Sequence, residues 1–146
     1  MLEIRQAAVD DLAGVAAVQQ LAGYNQWSES QLSGSLKHDC CWLVQGETVQ
    51  GFAIFHIVLD EAELLNIVID PAVQRQGMGE ALLTFCLQAL QQQGVGSCLL
   101  EVGATNKPAQ ALYEKLGFSK VGERKNYYQS ATASEDAWLM CLTFGG

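Results

Sequence analysis

The stretch LLNIVIDPAVQRQGMGEALL, residues 64–83, decides the fold of this chain and divides into three parts. Residues 64–69 are an apolar run that only Asn66 interrupts and that ends at an Asp-Pro pair, a pattern typical of a buried strand. Residues 74–79 predict a turn that contains two glycines. From Met78 onward the pattern predicts a helix with a broad buried face. The apolar side chains of that face are Leu82, Leu83, Phe85, Cys86, Leu87, Ala89 and Leu90.

The turn lies where the first backbone N–H groups of a helix have no partner within the helix and the helix dipole is positive. Such a position binds anions, and phosphate is the usual occupant. The turn is not a P-loop, because a P-loop ends in Gly-Lys-Ser/Thr and no lysine occurs between Lys37 and Lys107. It is not a dinucleotide loop, because Glu80 and Ala81 follow where a third glycine is required. We therefore expect a phosphate site of another type.

The composition is that of a globular domain. The chain has 146 residues, of which 49% are hydrophobic and only two are proline. This length can bury a core without disulfide or metal support, and no linker or repeat divides it, so we expect one domain over residues 1–146. No apolar run reaches the length of a membrane span, and residues 1–5 do not resemble a signal peptide. We expect a cytoplasmic protein without a membrane partner.

The formal net charge of −8 also restricts the partners. Binding to nucleic acid requires a basic surface, so no direct nucleic-acid partner is expected. An acidic chain attracts a basic partner at long range, although many ordinary cytosolic proteins are equally acidic. The same charge disfavours a polyanionic cofactor, which would then depend on local backbone amides and on Arg75.

The cysteines and histidines do not form a recognisable metal or disulfide pattern. Five cysteines, an odd number without a Cys-x-x-Cys pair, lie in apolar stretches at Cys40, Cys41, Cys86, Cys98 and Cys141. We interpret them as buried reduced thiols. His38 and His56 are far apart and have few neighbouring ligand residues, so no metal site is expected.

Periodicity and turn residues predict elements in the order β-α-α-β-β-β-α-β-α-β-β, an α/β sandwich around a mixed sheet. The predicted strands are residues 3–7, 40–44, 49–58, 64–69, 97–102, 118–124 and 137–144. The helices start after Asp10 or Asp11, after Ser28, at Met78 and near Pro108. Residues 28–31 have the Ser-x-x-Gln form of a capping box, and Gly117 is placed to end the last helix in a left-handed cap. A polar loop rich in Ser, Thr and Ala joins the last two strands.

Residues 24–28, between the first two helices, predict a loop with two exposed aromatic side chains, Tyr24 and Trp27. Exposed aromatic residues make this loop a candidate lip for a substrate. Trp27 also has a plainer interpretation, because an apolar residue directly before a capping box packs on the new helix as a hydrophobic staple.

Glu101 is a carboxylate in an otherwise apolar strand, where burial without partners is costly. If the strand alternates, Glu101 shares a face with Leu99 and Gly103, so it either points into a cleft or is paired. A salt bridge, a strand end that reaches solvent and a functional carboxylate all remain open. Tyr113, on the following helix, is equally open between a functional role and packing beside Leu112.

Two motifs carry a resemblance to a known family. Residues 74–79, QRQGMG, resemble the Gln/Arg-x-x-Gly-x-Gly/Ala signature of the GNAT acyltransferases, and residues 112–118, LYEKLGF, resemble their Leu-Tyr-x-x-x-Gly-Phe signature. Nearly end to end, the chain is similar to the RimI-type ribosomal-protein N-terminal alanine acetyltransferases of that family. The further matching segments are Trp27-Ser28, residues 60–62, residues 66–71, Glu101-Val102, Asn106 and residues 124–128.

The resemblance implies the GNAT fold, an α/β structure with a mixed, mostly antiparallel central sheet flanked by helices. It implies acetyl-coenzyme A as co-substrate, without a metal, and a basic protein N-terminus as partner, alanine on a small-subunit ribosomal protein. It assigns Glu101 as proton acceptor and Tyr113 as proton donor. The implied contacts with acetyl-coenzyme A are Ile67, Val68, Ile69, Arg75, Gln76, Gly77, Met78, Gly79, Glu80 and Asn106.

This chemistry suits those residue types. An amine attacks a thioester only when it is neutral, and an α-amino group of pKa ~7.7–8.0 is about a tenth to a sixth neutral at pH 7. One carboxylate, acting directly or through a water, can therefore suffice as base. Backbone N–H groups of residues 67–69 can polarise the thioester carbonyl, and Tyr113 can protonate the departing thiolate. Direct attack requires no covalent enzyme intermediate, so none of the cysteines need act as a nucleophile.

Three departures from the family pattern bear more on specificity than on activity. Glu80 stands where many relatives have a basic residue beside the pyrophosphate, so we expect it to weaken cofactor binding or to shift the phosphate contact. Gly103 replaces a larger, often basic residue, and Asn25-Gln26 replaces a Phe-Pro pair before Trp27. Two other functions therefore stay open, namely acetylation of a small amine or antibiotic and a non-catalytic module that binds coenzyme A. The oligomeric state is not specified by these patterns.

Overall fold

The computed structural model describes residues 2–23, 26–74, 76–129 and 134–145. Within them the strands are β1 Glu3–Gln6, β2 Cys40–Gln45, β3 Val49–Val58, β4 Glu61–Ile69, β5 Ser97–Gly103, β6 Ser119–Gln129 and β7 Ser134–Thr143. The α-helices are α1 Leu12–Ala22, α2 Glu29–His38, α3 Met78–Gln92 and α4 Lys107–Lys115. The order is the predicted one. None of these described helices combines the length and the hydropathy that crossing a membrane requires.

The described strands form one sheet in the order β1-β2-β3-β4-β5-β7-β6. Every neighbouring pair is antiparallel except β4 and β5, which are parallel because α3 crosses between them. The predicted α/β class, with a mixed and mostly antiparallel central sheet flanked by helices, is confirmed. The last hairpin is longer than predicted, since β6 extends to Gln129 and β7 starts at Ser134, whereas the prediction gave residues 118–124 and 137–144.

Helices cover both faces of the sheet, and each face has its own core. Phe55 and Leu100 lie in the core that α3 and α4 cover. Ile54 lies in the core that α1 and α2 cover, together with Leu32 of α2. Successive residues of a strand therefore point to different helix pairs, and this alternation tells which face each candidate side chain occupies.

Local capping explains where two of the helices begin. The Ser28 hydroxyl accepts a hydrogen bond from the Gln31 backbone N–H at 3.1 Å, and the Gln31 side chain accepts from the Ser28 N–H at 2.8 Å, which confirms the predicted capping box. Asn106 caps α4 by accepting from the Ala109 N–H at 3.3 Å.

The predicted side-chain cap of α1 by Asp10 or Asp11 is wrong. Asp11 is the residue before α1, but its carboxylate turns back and accepts from the Ala8 N–H at 2.9 Å, so it caps the short 3-10 helix Val9–Asp11. The same carboxylate binds the Arg5 guanidinium at 2.8 and 3.0 Å. The Asp11 carboxylate therefore binds Arg5 of β1 and the Ala8 N–H, and it does not cap α1.

Three side chains are more exposed or more buried than predicted. Phe85 of α3 is 40% exposed, because it falls outside the stripe that the other predicted positions of the helix share. Leu65 is 37% exposed, so the strand is not buried without interruption. Trp27 is half-buried against the core of α1 and α2, which supports the hydrophobic staple rather than an exposed lip. Tyr24 and Asn25 of the predicted lip lie outside the described residues.

Candidate active site

Strands β4 and β5 separate halfway along their length. They pair at three positions, where residues 61–63 of β4 lie beside residues 97–99 of β5. From Leu64 onward β4 pairs with β3 but no longer with β5. A bulge at Leu65 accompanies the change, because Phe55 pairs with Leu64 whereas Ile54 pairs with Asn66. The carboxyl-terminal half of β4 therefore borders an opening in the sheet opposite β5.

The backbone of β4 turns alternate groups toward this opening. The Asp70 N–H donates to the Gln50 carbonyl of β3 at 2.9 Å, so alternation directs the backbone groups of Val68 toward β3 as well. The backbone groups of Ile67 and Ile69 consequently face the opening, and the Ile69 carbonyl accepts from the Gln74 side chain at 3.1 Å. The structure thus places the predicted residues 67–69 at the edge of the opening.

The start of α3 lies at the same end of β4. A Cβ on Gly79 would lie 3.9 Å from both Ile69 and Leu112, so the first turn of α3 packs between β4 and α4. Gly77 precedes the helix with φ +77°, a left-handed conformation that favours glycine, and it offers no side-chain cap. The first N–H groups of α3 thus lack the kind of capping side chain that Ser28 gives α2. Gln76 lies exposed on this turn, and Arg75 lies outside the described residues.

An ion pair offsets the unusual acidic residue at this helix start. The Lys115 ammonium at the end of α4 lies 2.9 Å from the Glu80 carboxylate in the first turn of α3. Both side chains are exposed, so solvent screens the pair. The expected conflict between Glu80 and a bound phosphate is thereby reduced, and a cation lies near the turn.

Glu101 points to one face of the sheet and forms an ion pair there. Leu100 and Val102 point into the core under α3 and α4, so Glu101 points to the opposite face, with Leu99 and Gly103, as predicted. Its side chain is 16% exposed, and Arg124 Nη2 of β6 lies 3.2 Å from Glu101 Oε1. The salt-bridge interpretation is therefore confirmed; the role as a base is a separate question.

Tyr113 lies on the other side of the sheet. It is 7% exposed in the core under α3 and α4, and its ring meets Phe118 edge to face with centroids 5.9 Å apart. Tyr113 thus packs in this core, and its role as proton donor stays a prediction. The structure therefore separates Glu101 and Tyr113 onto the two faces of the sheet. Asn106, whose amide oxygen caps α4, is exposed at the loop that leads from β5 into α4.

Two residues near the opening were not predicted as part of the site. Arg124 could not be assigned, because its contact with Glu101 depends on the pairing of β6 with β7 and of β7 with β5. Asn66 could have been found from the sequence, since it alone interrupts the apolar run of residues 64–69. Its carboxamide is buried, and no described residue forms a hydrogen bond with it.

Three of the five thiols, those of Cys41, Cys86 and Cys98, are buried. Burial raises the pKa of Cys41 and of Cys98 to about 12 and raises the pKa of Cys86 further. Within the described residues all five cysteines are free thiols, although Cys40 and Cys141 are only partly buried. Since a thiolate is the reactive form, these environments favour structural roles.

Comparison with known proteins identifies the family. The model of the family described as acetyltransferase (GNAT) family matches residues 6–118. The ribosomal protein bS18 alanine N-acetyltransferase of Escherichia coli K12 is 40% identical over 144 residues, 97% of each chain. Its counterpart in Salmonella typhimurium is 40% identical over 134 residues, 90% of each chain.

A solved structure gives the same result. The crystal structure of the ribosomal-protein-S18-alanine N-acetyltransferase from Escherichia coli superposes with a TM-score of 0.92 and 38% identity, covering 100% of this chain and 97% of that one. The likeness thus extends along the whole chain. The chain belongs to the GNAT family of acetyltransferases, and its relatives in that family include the ribosomal protein bS18 alanine N-acetyltransferases.

Proposed function

We propose that this protein transfers the acetyl group of acetyl-coenzyme A to the N-terminal alanine of a small-subunit ribosomal protein. The likeness to the bS18 alanine N-acetyltransferases along almost the entire chain is the observation that supports this substrate. The acidic chain suits a basic protein partner, and action on ribosomal proteins would place the enzyme in the cytoplasm.

The residues around the start of α3 fit coenzyme A. Gly77 leaves the first N–H groups of a fifteen-residue helix without a side-chain cap, in a position suited to a pyrophosphate. We assign the contacts to residues 75–80, with Ile67 to Ile69 along the pantetheine arm and Asn106 beyond it. When bound, acetyl-coenzyme A would supply an acetyl group activated as a thioester, and we assign the Ile67 N–H to polarise its carbonyl.

The two faces of the opening separate the two proton transfers. Glu101 faces the α1 and α2 side, so we assign it to accept the proton of an amine that enters from that side. Tyr113 faces the α3 and α4 side, so we assign it to protonate the departing thiolate there. Arg124 is an exposed side chain that can leave Glu101 when the substrate amine arrives. Direct attack of this kind uses no cysteine nucleophile.

The test is thiol release from acetyl-coenzyme A with two short basic peptides. One begins with a free alanine; the other has the same sequence with a blocked N-terminus and one internal lysine. The proposal expects turnover with the first peptide alone. Turnover with the second peptide, or only with small amines, would contradict the assigned substrate. Binding of coenzyme A without turnover on any amine would instead indicate a non-catalytic module.

A further inference from the structure

Asn66 is the buried polar group that the proposed mechanism does not use. It is 4% exposed, and neither its Oδ1 nor its Nδ2 has a hydrogen-bond partner among the described residues. Buried carboxamides are nearly always hydrogen-bonded, because removing one from water without a partner destabilises the fold. We therefore expect the Asn66 carboxamide to form its hydrogen bonds with a ligand.

The position of Asn66 points to the substrate amine. It pairs with Ile54, whose side chain lies in the core under α1 and α2, so Asn66 points to that same face. Glu101 points to this face from β5. Both residues follow the last parallel pair, Glu63 with Leu99, by two or three positions. They therefore border the opening from opposite sides on one face of the sheet.

The chemistry of the group fits the first residue of a peptide. A carboxamide offers an acceptor oxygen and an N–H donor side by side. The first residue of a peptide carries an amine and a carbonyl group on the same Cα. The amine N–H can donate to the carboxamide oxygen of Asn66, and the carbonyl oxygen can accept from its N–H. The ε-amine of a lysine has no such carbonyl. The adjacent Ile67, whose backbone faces the opening, is where the thioester carbonyl is expected.

We propose that Asn66 hydrogen-bonds the first residue of the acceptor, its Oδ1 accepting from the amine and its Nδ2 donating to the first carbonyl. This proposal rests on the proposed function. Asn66 orients the amine between Glu101 and the thioester, and it contributes to the preference for an α-amine over a lysine side chain.

The test variant is Asn66→Leu, which keeps the size of the side chain and removes its hydrogen bonds. For the alanine peptide we expect kcat/KM to fall roughly 10- to 100-fold, as expected for loss of buried hydrogen bonds to a substrate. The Kd of coenzyme A should stay within about twofold of wild type, since that ligand binds through other residues. The Tm of the free protein should rise by a few degrees, roughly 3 °C, because an unpartnered polar group has been removed.

The matched control is Gln50→Leu. The Gln50 Oε1 is likewise buried without a partner, but Gln50 lies four residues from Ile54 on β3, about 13 Å along the strand. Its replacement should leave kcat/KM unchanged. A kcat/KM of Asn66→Leu within twofold of wild type would overturn the proposal. A lowered Tm together with parallel losses of peptide turnover and coenzyme A binding would also overturn it, because that combination would indicate that Asn66 has a structural role.

A second measurement uses the wild-type protein and does not depend on the variant folding. The side-chain amide NMR signals of Asn66 are followed while alanine peptide is added in the presence of coenzyme A. A saturable shift of these signals, absent with the N-terminally blocked peptide, is expected; unchanged signals at saturation would overturn the proposal. If the wild type acetylates only small amines, the proposed function fails. Asn66 would then be judged by whether Asn66→Leu loses that turnover.

Discussion

At the scale of single residues, the account depends on a carboxylate that is paired in the free protein and must be available in the reaction. Glu101 forms an ion pair with Arg124 at 3.2 Å, and the arginine is the more exposed partner. The arginine side chain is 54% exposed, so solvent screens the charge of this ion pair from one side. Glu101 can therefore exchange this partner for a substrate amine without disturbance of the sheet.

Glu101→Gln should lower kcat/KM at every pH, and most strongly at low pH. The amine is then largely protonated, so its attack depends on a base that removes the proton. General-base catalysis typically contributes roughly 10²–10⁴-fold, which sets the expected loss. The measurement is a pH profile of kcat/KM with the alanine peptide. Glu63→Gln is the control, because Glu63 is a carboxylate on the same face before the opening; a loss equal to that of Glu101→Gln would refute the assignment.

Tyr113→Phe should slow turnover while the Kd of coenzyme A stays nearly unchanged. The variant keeps the ring that packs on Phe118 and removes only the hydroxyl that is assigned to protonate the thiolate. Steady-state kinetics and calorimetric titration with coenzyme A separate the two effects. Equal loss of binding and turnover would show that the hydroxyl serves binding rather than proton transfer.

At the scale of elements, the start of α3 and the end of α4 act together on the expected phosphate site. Lys115→Met should weaken coenzyme A binding about threefold, because it removes a cation near the helix start and leaves Glu80 unpaired. Glu80→Gln should strengthen binding by a similar factor. Titrations at low and high salt measure both effects, and both should shrink at high salt.

Lys37→Met, a change at the far end of α2, is the control for general loss of positive charge. Unchanged affinity in both the Lys115 and Glu80 variants would show that the phosphate lies elsewhere.

The sequence predicts elements well where the determinants are local. The capping box of Ser28 and Gln31 and the left-handed Gly117 at the end of α4 are fixed by neighbouring residues, and both are present. The bulge at Leu65 could not be predicted, because it depends on the register of β4 with β3. The pairing of Glu101 with Arg124 depends on three strands for the same reason. The residue types thus indicate the chemistry of the site, whereas the opening between β4 and β5 can be located only once the pairing of the strands is known.

At the scale of the whole molecule, the fold divides its core into two layers, and the first strand is tied to the rest by charge. Arg5 of β1 binds Asp11, and this contact lowers the pKa of the Asp11 carboxyl below its ordinary 3.8. A carboxyl with a lowered pKa in the folded state stabilises the protein above its ordinary pKa, and the contribution is lost as the pH falls below it.

Asp11→Asn should therefore reduce the free energy of unfolding at neutral pH by about 1 kcal/mol, through loss of the ion pair and weakening of the cap at Ala8. The difference from wild type should shrink as the pH falls below about 4. Thermal unfolding over a pH series measures both. Asp10→Asn, a change in the neighbouring exposed carboxylate, should have little effect; a pH-independent loss in Asp11→Asn would exclude the ionic explanation.

The most direct measurement of the central claim uses small-subunit ribosomal proteins from cells that lack this enzyme. They are incubated with acetyl-coenzyme A and the protein, and their masses and acetylation sites are then determined. The account predicts that one protein gains a single acetyl group on an N-terminal alanine, and that Glu101→Gln slows this gain strongly. Acetylation of lysine side chains, or of no ribosomal protein by an enzyme that binds coenzyme A, would contradict it.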